Sequence, residues 1–379
     1  MKKLLLKIIV VLFFLAIPLP ALAEYWVTIW DAQGSLKVDY LDVGQGDATL
    51  IRTGSDKRIL VDGGPDSSVL AQLAKYISPE NKWLDYVILT HPHADHVAGL
   101  NYVLDNYNVG KILCTCANYS STVYNTFLNK AVQKGISFEY VWDGKTYAFA
   151  DTTTLEFIYP FTDIHGTDVT NVNNSSAVFK LNYANQNFLF TGDIEEAPGN
   201  DLVVSGKDIS ARFLKVPHHG SSTGLSASGF LEKISPTYSF IEVGVGNLYG
   251  HPTQTTLDHL AQVGSQIFRT DQNGNIEVSV NANSTFIVSP ELIGEGLGPS
   301  QQFGSQSLGQ KIGEFIPPTL TQTPTSTPTQ TPTRTLTKTA TPTRTRTYAP
   351  TKTATRTPTR TIRPTLTPMK MPTKVQARR

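Results

Sequence analysis

The segment THPHADHVAG, residues 90–99, places His91, His93, Asp95 and His96 within six positions of a chain that has 8 histidines in all. Imidazole nitrogens and carboxylate oxygens are ordinary ligands of zinc and its neighbours, and two histidines two residues apart on an extended backbone project to the same side. An aspartate and a histidine beyond the bend then face a second point close by, so one short segment can hold two cations. Further ligand-type side chains occur later: Asp193 follows the apolar run NFLF, and His218 and His219 follow FLKVP. Alone, a strand-end aspartate is an ordinary turn residue and a buried histidine an ordinary hydrogen-bonded core group. Together these groups read as a metal centre. A cation in an open site lowers the pKa of bound water to about 7 and offsets charge developing on a phosphoryl or carbonyl oxygen, so hydrolysis there needs no protein nucleophile.

Such groups need rigid supports. Residues 86–89, YVIL, form an apolar β-branched run that predicts a buried strand, which puts the histidine cluster where a strand gives way to a loop. Residues 36–41, 48–51 and 58–61 read as strands, 68–77 as a helix with Leu70, Leu73 and Ile77 inward, and 97–106 as a helix after the cluster. Later strands are expected to end at Asp193 and His218. This mixture predicts an α/β body with its chemistry at strand ends. Cys114 and Cys116 fall two apart on an expected strand, share one face, and read as packing residues rather than a disulfide.

The two ends of the chain are built differently. Lys2, Lys3 and Lys7 precede an apolar run that closes on Ala21-Leu22-Ala23, the layout of a secretory signal peptide, with an uncleaved N-terminal anchor as the other reading. From Pro317 to Arg379 repeated Thr-Pro units offer no apolar face, which predicts a disordered tail of polyproline-like stiffness. Twelve Lys and Arg lie in that tail and three lysines in the leader, which leaves 17 of the 32 cations between leader and tail, over residues 24–316, against all 31 acidic residues. The near-neutral chain is therefore an acidic globule of about −14 with a basic tail of about +12. That tail could contact cell-wall polymers, anionic lipid or nucleic acid, or serve as a spacer. The expected division is a leader at 1–23, a body at 24–290, a linker at 291–316 and a tail at 317–379, with no long apolar span after the leader.

His91-Pro92-His93-Ala94-Asp95-His96 matches the H-x-H-x-D-H signature of the metallo-β-lactamase superfamily. LDVGQGDATLI (41–51), ILVDGG (59–64), NNSSAVFKL (173–181), FLFTGD (188–193), LKVPHHGS (214–221), YGHP (249–252) and FRTDQNG (268–274) resemble, in the same order, the hydrolase domain of ComEC-type competence proteins. The resemblance implies an αββα sandwich of two mixed β-sheets with helices outside. It implies His91 and His93 for a first zinc, Asp95 and His96 for a second, Asp193 as bridge, and one of His218 and His219 as the last ligand, His219 being favoured and His218 left for the substrate. Asp62 would orient ligands from behind. Asp42, Gln45 and Asp47 would border the same cleft or decorate a glycine turn. His251 is expected to project into the cleft and donate a hydrogen bond or proton, with a helix-entrance histidine as the plainer alternative. Asp95, His218 and His251 are thus the expected catalytic side chains.

One departure stands out. Many members of the superfamily have a further histidine between the cluster and the bridging aspartate, where this chain reads TDVTNVNNSSAVF, with Asn173, Asn174 and Ser175; His165 lies upstream in a loop. The first zinc position is therefore expected to be weak or empty, and Mn²⁺ to compete for it. The expected function is that of an exported hydrolase using one or two Zn²⁺ or Mn²⁺ ions on phosphodiesters, DNA or related, although an acidic body repels nucleic acid at long range. Hydrolysis of small phosphate or carboxylic esters or lactones is the alternative within the enzymes, and a non-catalytic cell-wall-binding protein is the alternative outside them.

Overall fold

The apolar runs of the sequence become the inner strands of two mixed β-sheets. The computed structural model describes residues 34–292 and the backbone of 301–303; the leader read at 1–23, the tail at 317–379 and most of the linker at 291–316 lie outside the described residues. The chain divides into two units, 1–311 and 312–379, and every described residue belongs to the first.

The first sheet has the order β16 (Gln301–Phe303), β15 (Phe286–Pro290), β14 (Ile276–Val280), β1 (Leu36–Tyr40), β2 (Thr49–Arg52), β3 (Arg58–Val61), β4 (Trp83–Leu89), β5 (Asn108–Cys114), β6 (Ser137–Tyr140). From β16 to β3 neighbours are antiparallel, and from β3 to β6 they are parallel. Parallel pairing needs crossovers, and α1 (Ser68–Leu73), α2 (Ala94–Asn106) and α3 (Thr122–Gln133) supply them. The second sheet has the order β13 (Gln266–Arg269), β12 (Tyr238–Ile241), β11 (Phe213–Lys215), β10 (Gln186–Phe190), β9 (Val178–Tyr183), β8 (Thr154–Tyr159), β7 (Thr146–Ala148), antiparallel from β7 to β10 and parallel from β10 to β13.

Side-chain alternation sorts the strands into layers. Leu36, Val38 and Tyr40 of β1 enter the space between the sheets and meet Phe179, Phe190, Phe213 and Phe240 of the other sheet; Tyr40 stacks on Phe240 at 4.2 Å and Phe179 on Phe190 at 4.8 Å between centroids. The outer face of the first sheet, with Leu84, Val87 and Leu89, is covered by Leu100 and Leu104 of α2 and Phe127 of α3. The outer face of the second, with Leu189, Leu214 and Ile241, lies under α4 (Glu196–Val204), α5 (Phe230–Ile234) and α6 (Gln254–Gln262). The result is the αββα sandwich, with each buried Leu or Phe contributing about 1.5–3 kcal/mol of transfer free energy.

Local boundaries differ from the sequence reading. α1 ends at Leu73, and Ile77 is buried in the turn that follows. β10 stops at Phe190 and β11 at Lys215, three residues short of Asp193 and His218. Cys114 and Cys116 are joined by a disulfide, contrary to the expectation of two packing thiols. β5 ends at Cys114 and Cys116 takes a left-handed φ of 52°, so the chain leaves the pleat that would have held the sulfurs side by side.

Candidate metal centre

The histidine cluster opens at the end of β4, and the helix after it starts earlier than apolar spacing indicated. α2 begins at Ala94 with His93 as its extended N-cap, so Asp95 and His96 occupy a first helical turn, where a carboxylate meets the positive end of the helix dipole. The helix can lie against the strand ends because Gly99 and Gly63 lack side chains: a Cβ on Gly99 would stand 1.7 Å from the Gly63 carbonyl oxygen. That approach brings His96 Nδ1 within 2.8 Å of Asp62 Oδ2. Asp62 also accepts from the Thr90 backbone N–H at 2.8 Å and the Thr90 hydroxyl at 2.6 Å, which fixes its carboxylate behind the ring.

Asp95, His96, Asp193 and His219 each present one ligand atom within 4.8 Å of all the others. His96 Nε2 lies 3.2 Å from Asp193 Oδ2, and His219 Nε2 lies 3.2 Å from Asp95 Oδ2 and 3.4 Å from Asp193 Oδ2. The other nitrogen of His219 turns outward, to the Glu242 carbonyl oxygen at 2.9 Å and Asp47 Oδ1 at 3.1 Å. Acceptors behind both rings thus leave Nε2 facing the centre. His91 stands beside this group, its Nε2 3.9 Å from Asp193 Oδ2 and its Nδ1 3.2 Å from the Thr90 hydroxyl. Among the described residues His91 Nε2 and Asp193 Oδ1 are buried without a hydrogen-bond partner, a condition that a cation relieves. Together with the mixed imidazole and carboxylate donors, this fits a divalent cation of the Zn²⁺ or Mn²⁺ kind. His93 is half-buried, edge-on to His91 at 4.9 Å and to Tyr119 at 5.5 Å, and outside the four-residue group.

The electrostatics agree with that geometry. Burial works against the Asp193 carboxylate, but His96 and His219 hold it well below its ordinary range; burial likewise works against Asp47, and Lys215, His219 and His96 hold it low. Burial would discharge His96 and His219, yet Asp193, Asp62 and Asp47 raise His96, and Asp193 and Asp47 raise His219, well above the usual imidazole value. His91 is pushed well down by burial and by His96. In the metal-free chain, protons on His96 and His219 balance carboxylates that a cation would otherwise balance.

Three participants went unread in the sequence. Lys215, buried at the end of β11, pairs with Asp47 and lies 3.8 Å from Asp193 Oδ1. Glu242, buried just after β12, accepts from the Ala48 N–H at 3.1 Å and the Thr49 hydroxyl at 3.2 Å; burial and the neighbouring Asp47 push its carboxyl up to about 8. Glu195 accepts from Asn171 Nδ2 at 2.8 Å and Asn173 Nδ2 at 3.0 Å, and its own N–H donates to Asn174 Oδ1 at 3.0 Å. Its Oε1 then lies 3.4 Å from His218 Nδ1. The asparagine run that stands where a histidine is common therefore cradles Glu195, while Ser176 Oγ accepts from the Asp193 N–H at 3.0 Å. His165 stacks on Tyr140 instead.

His218 is half-buried, and its ring faces that of His251 at 5.6 Å. Asn247 brackets the His251 backbone, donating to its carbonyl at 2.7 Å and accepting from its N–H at 3.1 Å. Gly220, at φ 82°, lets this loop pack close, since a Cβ there would meet Pro252 Cβ at 2.5 Å. His251 Nδ1 is buried without a partner among the described residues, and burial with the neighbouring His218 holds the ring below the usual imidazole range. Of the remaining expected groups, Asp47 and Asp62 stand behind the rings. Asp42 accepts from the Gly44 N–H at 3.2 Å and Gln45 Oε1 from the Gly244 N–H at 3.2 Å, so both brace the loop.

An αββα sandwich with this centre at its strand ends is the fold of the metallo-β-lactamase type of metal-dependent hydrolase. Residues 41–116 match the family model of the metallo-beta-lactamase superfamily, so over that stretch the chain is similar to members of that superfamily. It is 28% identical over 274 residues to ComE operon protein 3 of Bacillus subtilis, covering 67% of this chain and 34% of that protein. It is 27% identical over 257 residues to competence protein ComA of Neisseria gonorrhoeae, covering 67% of this chain and 32% of that one. The chain thus spans about a third of the length of these curated relatives. Among solved structures, the metallo-beta-lactamase fold protein YhfI of Bacillus subtilis aligns at a TM-score of 0.43 and 15% identity over 64% of this chain and 99% of that one.

Proposed function

We propose that this protein is an exported, metal-dependent phosphodiesterase acting on DNA or a related phosphodiester. The observation that carries the reading is the convergence of Asp95, His96, Asp193 and His219 on one point, with His218 and His251 side by side next to it. When bound there, a divalent cation supplies Lewis acidity toward phosphoryl oxygen. The chain's own groups do the rest. Asp62 and Asp47 hold the His96 and His219 rings in register. His251, which burial holds below the usual imidazole range, offers an N–H to a non-bridging oxygen or to the departing oxygen, and His218, its Nδ1 3.4 Å from Glu195 Oε1, stands beside it. Similarity to proteins named for competence supports DNA as the substrate, the leader read at 1–23 supports export, and twelve tail cations supply the polymer attraction that an acidic body lacks.

The test uses the full chain, stripped with chelator and reloaded with Zn²⁺ or Mn²⁺, on single-stranded DNA, bis-p-nitrophenyl phosphate and a β-lactam. Metal-dependent cleavage of the two phosphodiesters with the β-lactam intact is the expected result. Turnover confined to the β-lactam, or no turnover by protein with metal bound, overturns the reading.

A further inference from the structure

Past the metal centre, the strand ends of the first sheet continue into a groove. β5 and β6 run parallel to β4, so their C-terminal ends, Cys114 and Tyr140, open on the same edge as His91. The groove has a volume of about 300 Å³; Tyr119, Tyr124, Phe138, Tyr140 and His165 are among its walls, and among the described residues no Lys, Arg, Asp or Glu lines it. Tyr119 lies between it and the centre: the residue is 37% exposed, and its ring stands edge-on to His93 at 5.5 Å.

The loop that carries Tyr119 is fastened far more than an exposed connection needs. Cys116 is bonded to Cys114, and the Gly166 N–H donates to the Cys116 carbonyl at 3.0 Å. The Asn118 N–H donates to the Thr167 carbonyl at 2.8 Å, and Asn118 Nδ2 donates to the Gly166 carbonyl at 2.8 Å and Asp168 Oδ1 at 2.9 Å. The facing loop lays His165 flat on Tyr140, with centroids 3.5 Å apart and planes 14° from parallel. Two fixed aromatic walls result, one of them touching the ring of a candidate metal ligand.

We propose that this groove is the subsite for one nucleobase of a single-stranded substrate, stacked on Tyr119 while the adjoining phosphate lies at the metal centre. The inference rests on the phosphodiesterase reading. The lining decides which part of a nucleotide enters: a phosphate finds neither lysine nor arginine among the described lining residues, whereas a base finds π faces, which accept any of the bases. The volume decides how much enters, since about 300 Å³ is the low end for small-molecule sites and holds one nucleoside rather than a base pair with its neighbours.

The full-length, metal-loaded protein is assayed on thymidine 5′-(p-nitrophenyl phosphate) and on methyl p-nitrophenyl phosphate, which share a leaving group and a scissile bond. The ratio of their kcat/KM values within each variant cancels any change in metal loading. Wild type is expected to favour the nucleoside ester, mainly through KM; Tyr119→Ala should lose about 5- to 150-fold of that preference and Tyr119→Phe should retain it. An unchanged ratio in Tyr119→Ala overturns the proposal, as does preference for a choline ester over the nucleoside ester, which would mark the walls as a cage for a quaternary ammonium. If wild type cleaves neither ester, it is the phosphodiesterase reading that falls. The subsite is then read directly by titrating thymidine 5′-monophosphate and ribose 5-phosphate against the protein: base-dependent affinity lost in Tyr119→Ala upholds it, and equal affinities overturn it.

Discussion

Replacing Lys215 by methionine removes the buried ammonium of the centre and keeps most of its aliphatic stem. In the metal-free chain that ammonium pairs with Asp47 and lies 3.8 Å from Asp193 Oδ1. At an effective dielectric of about 20, a unit pair at that separation is worth about 4 kcal/mol, and removing one partner of a buried pair typically costs about 3–5 kcal/mol. Lys215→Met should therefore unfold in urea with chelator about 3–5 kcal/mol more easily than wild type. The same ammonium opposes a cation on the Asp193 carboxylate that both would share, so the variant should bind Zn²⁺ more tightly. Each hundredfold gain in affinity under saturating metal returns about 2.7 kcal/mol, so the stability gap should narrow by that order when Zn²⁺ replaces chelator. Urea denaturation of both proteins under both conditions measures this. A variant as stable as wild type in chelator, or one whose zinc-induced gain is no larger than that of wild type, refutes the reasoning.

Asp193→Ala should weaken metal binding, measured by chelator competition, more than Asp95→Ala does, because Asp193 faces His91, His96 and His219 whereas Asp95 faces His219; equal losses would contradict that order. His251→Ala should lower phosphodiester turnover on the order of 10²-fold with metal content unchanged, and a drop within about threefold would reduce the residue to a structural part. Asp39 is buried against Arg52, and burial pushes its carboxyl up to about 7 from the ordinary 3.8. Its folded pKa is the higher one, so the folded chain binds more protons and its stability falls as pH rises from about 4 to 7, by about 4 kcal/mol in all. Denaturation of wild type and Asp39→Asn at several pH values checks this: the difference should move toward the asparagine variant with rising pH, and a flat difference would count against it.

The histidine cluster, Asp193 and the strands beneath them were legible because rare residue types fall at the ends of apolar runs. The start of α2 was not, since the apolar spacing of that helix begins only at Val97, whereas its first turn is held by His93 and by Asp62 behind His96. Lys215 and Glu242 went unread because their meaning depends on Asp47, which comes from the other sheet, and no local pattern carries that pairing. The asparagine run looked like a missing ligand because Glu195, its partner, lies more than 20 positions further on. The disulfide was misread because a period-two pattern cannot express the left-handed φ of Cys116.

The candidate centre is divided between the two sheets. Asp47, Asp62, His91, Asp95 and His96 come from the first, while Lys215 ends a strand of the second and Asp193 and His219 follow its strands. Neither half alone assembles the four-residue group, so a cation bound there acts as a staple across the aromatic interface and registers the moment the halves dock. Metal uptake during refolding should then coincide with burial of Tyr40 against Phe240, later than the appearance of strand signal. A fragment that ends before Asp193, although it contains the whole family match at 41–116, should bind metal no better than an unfolded peptide with the same histidines.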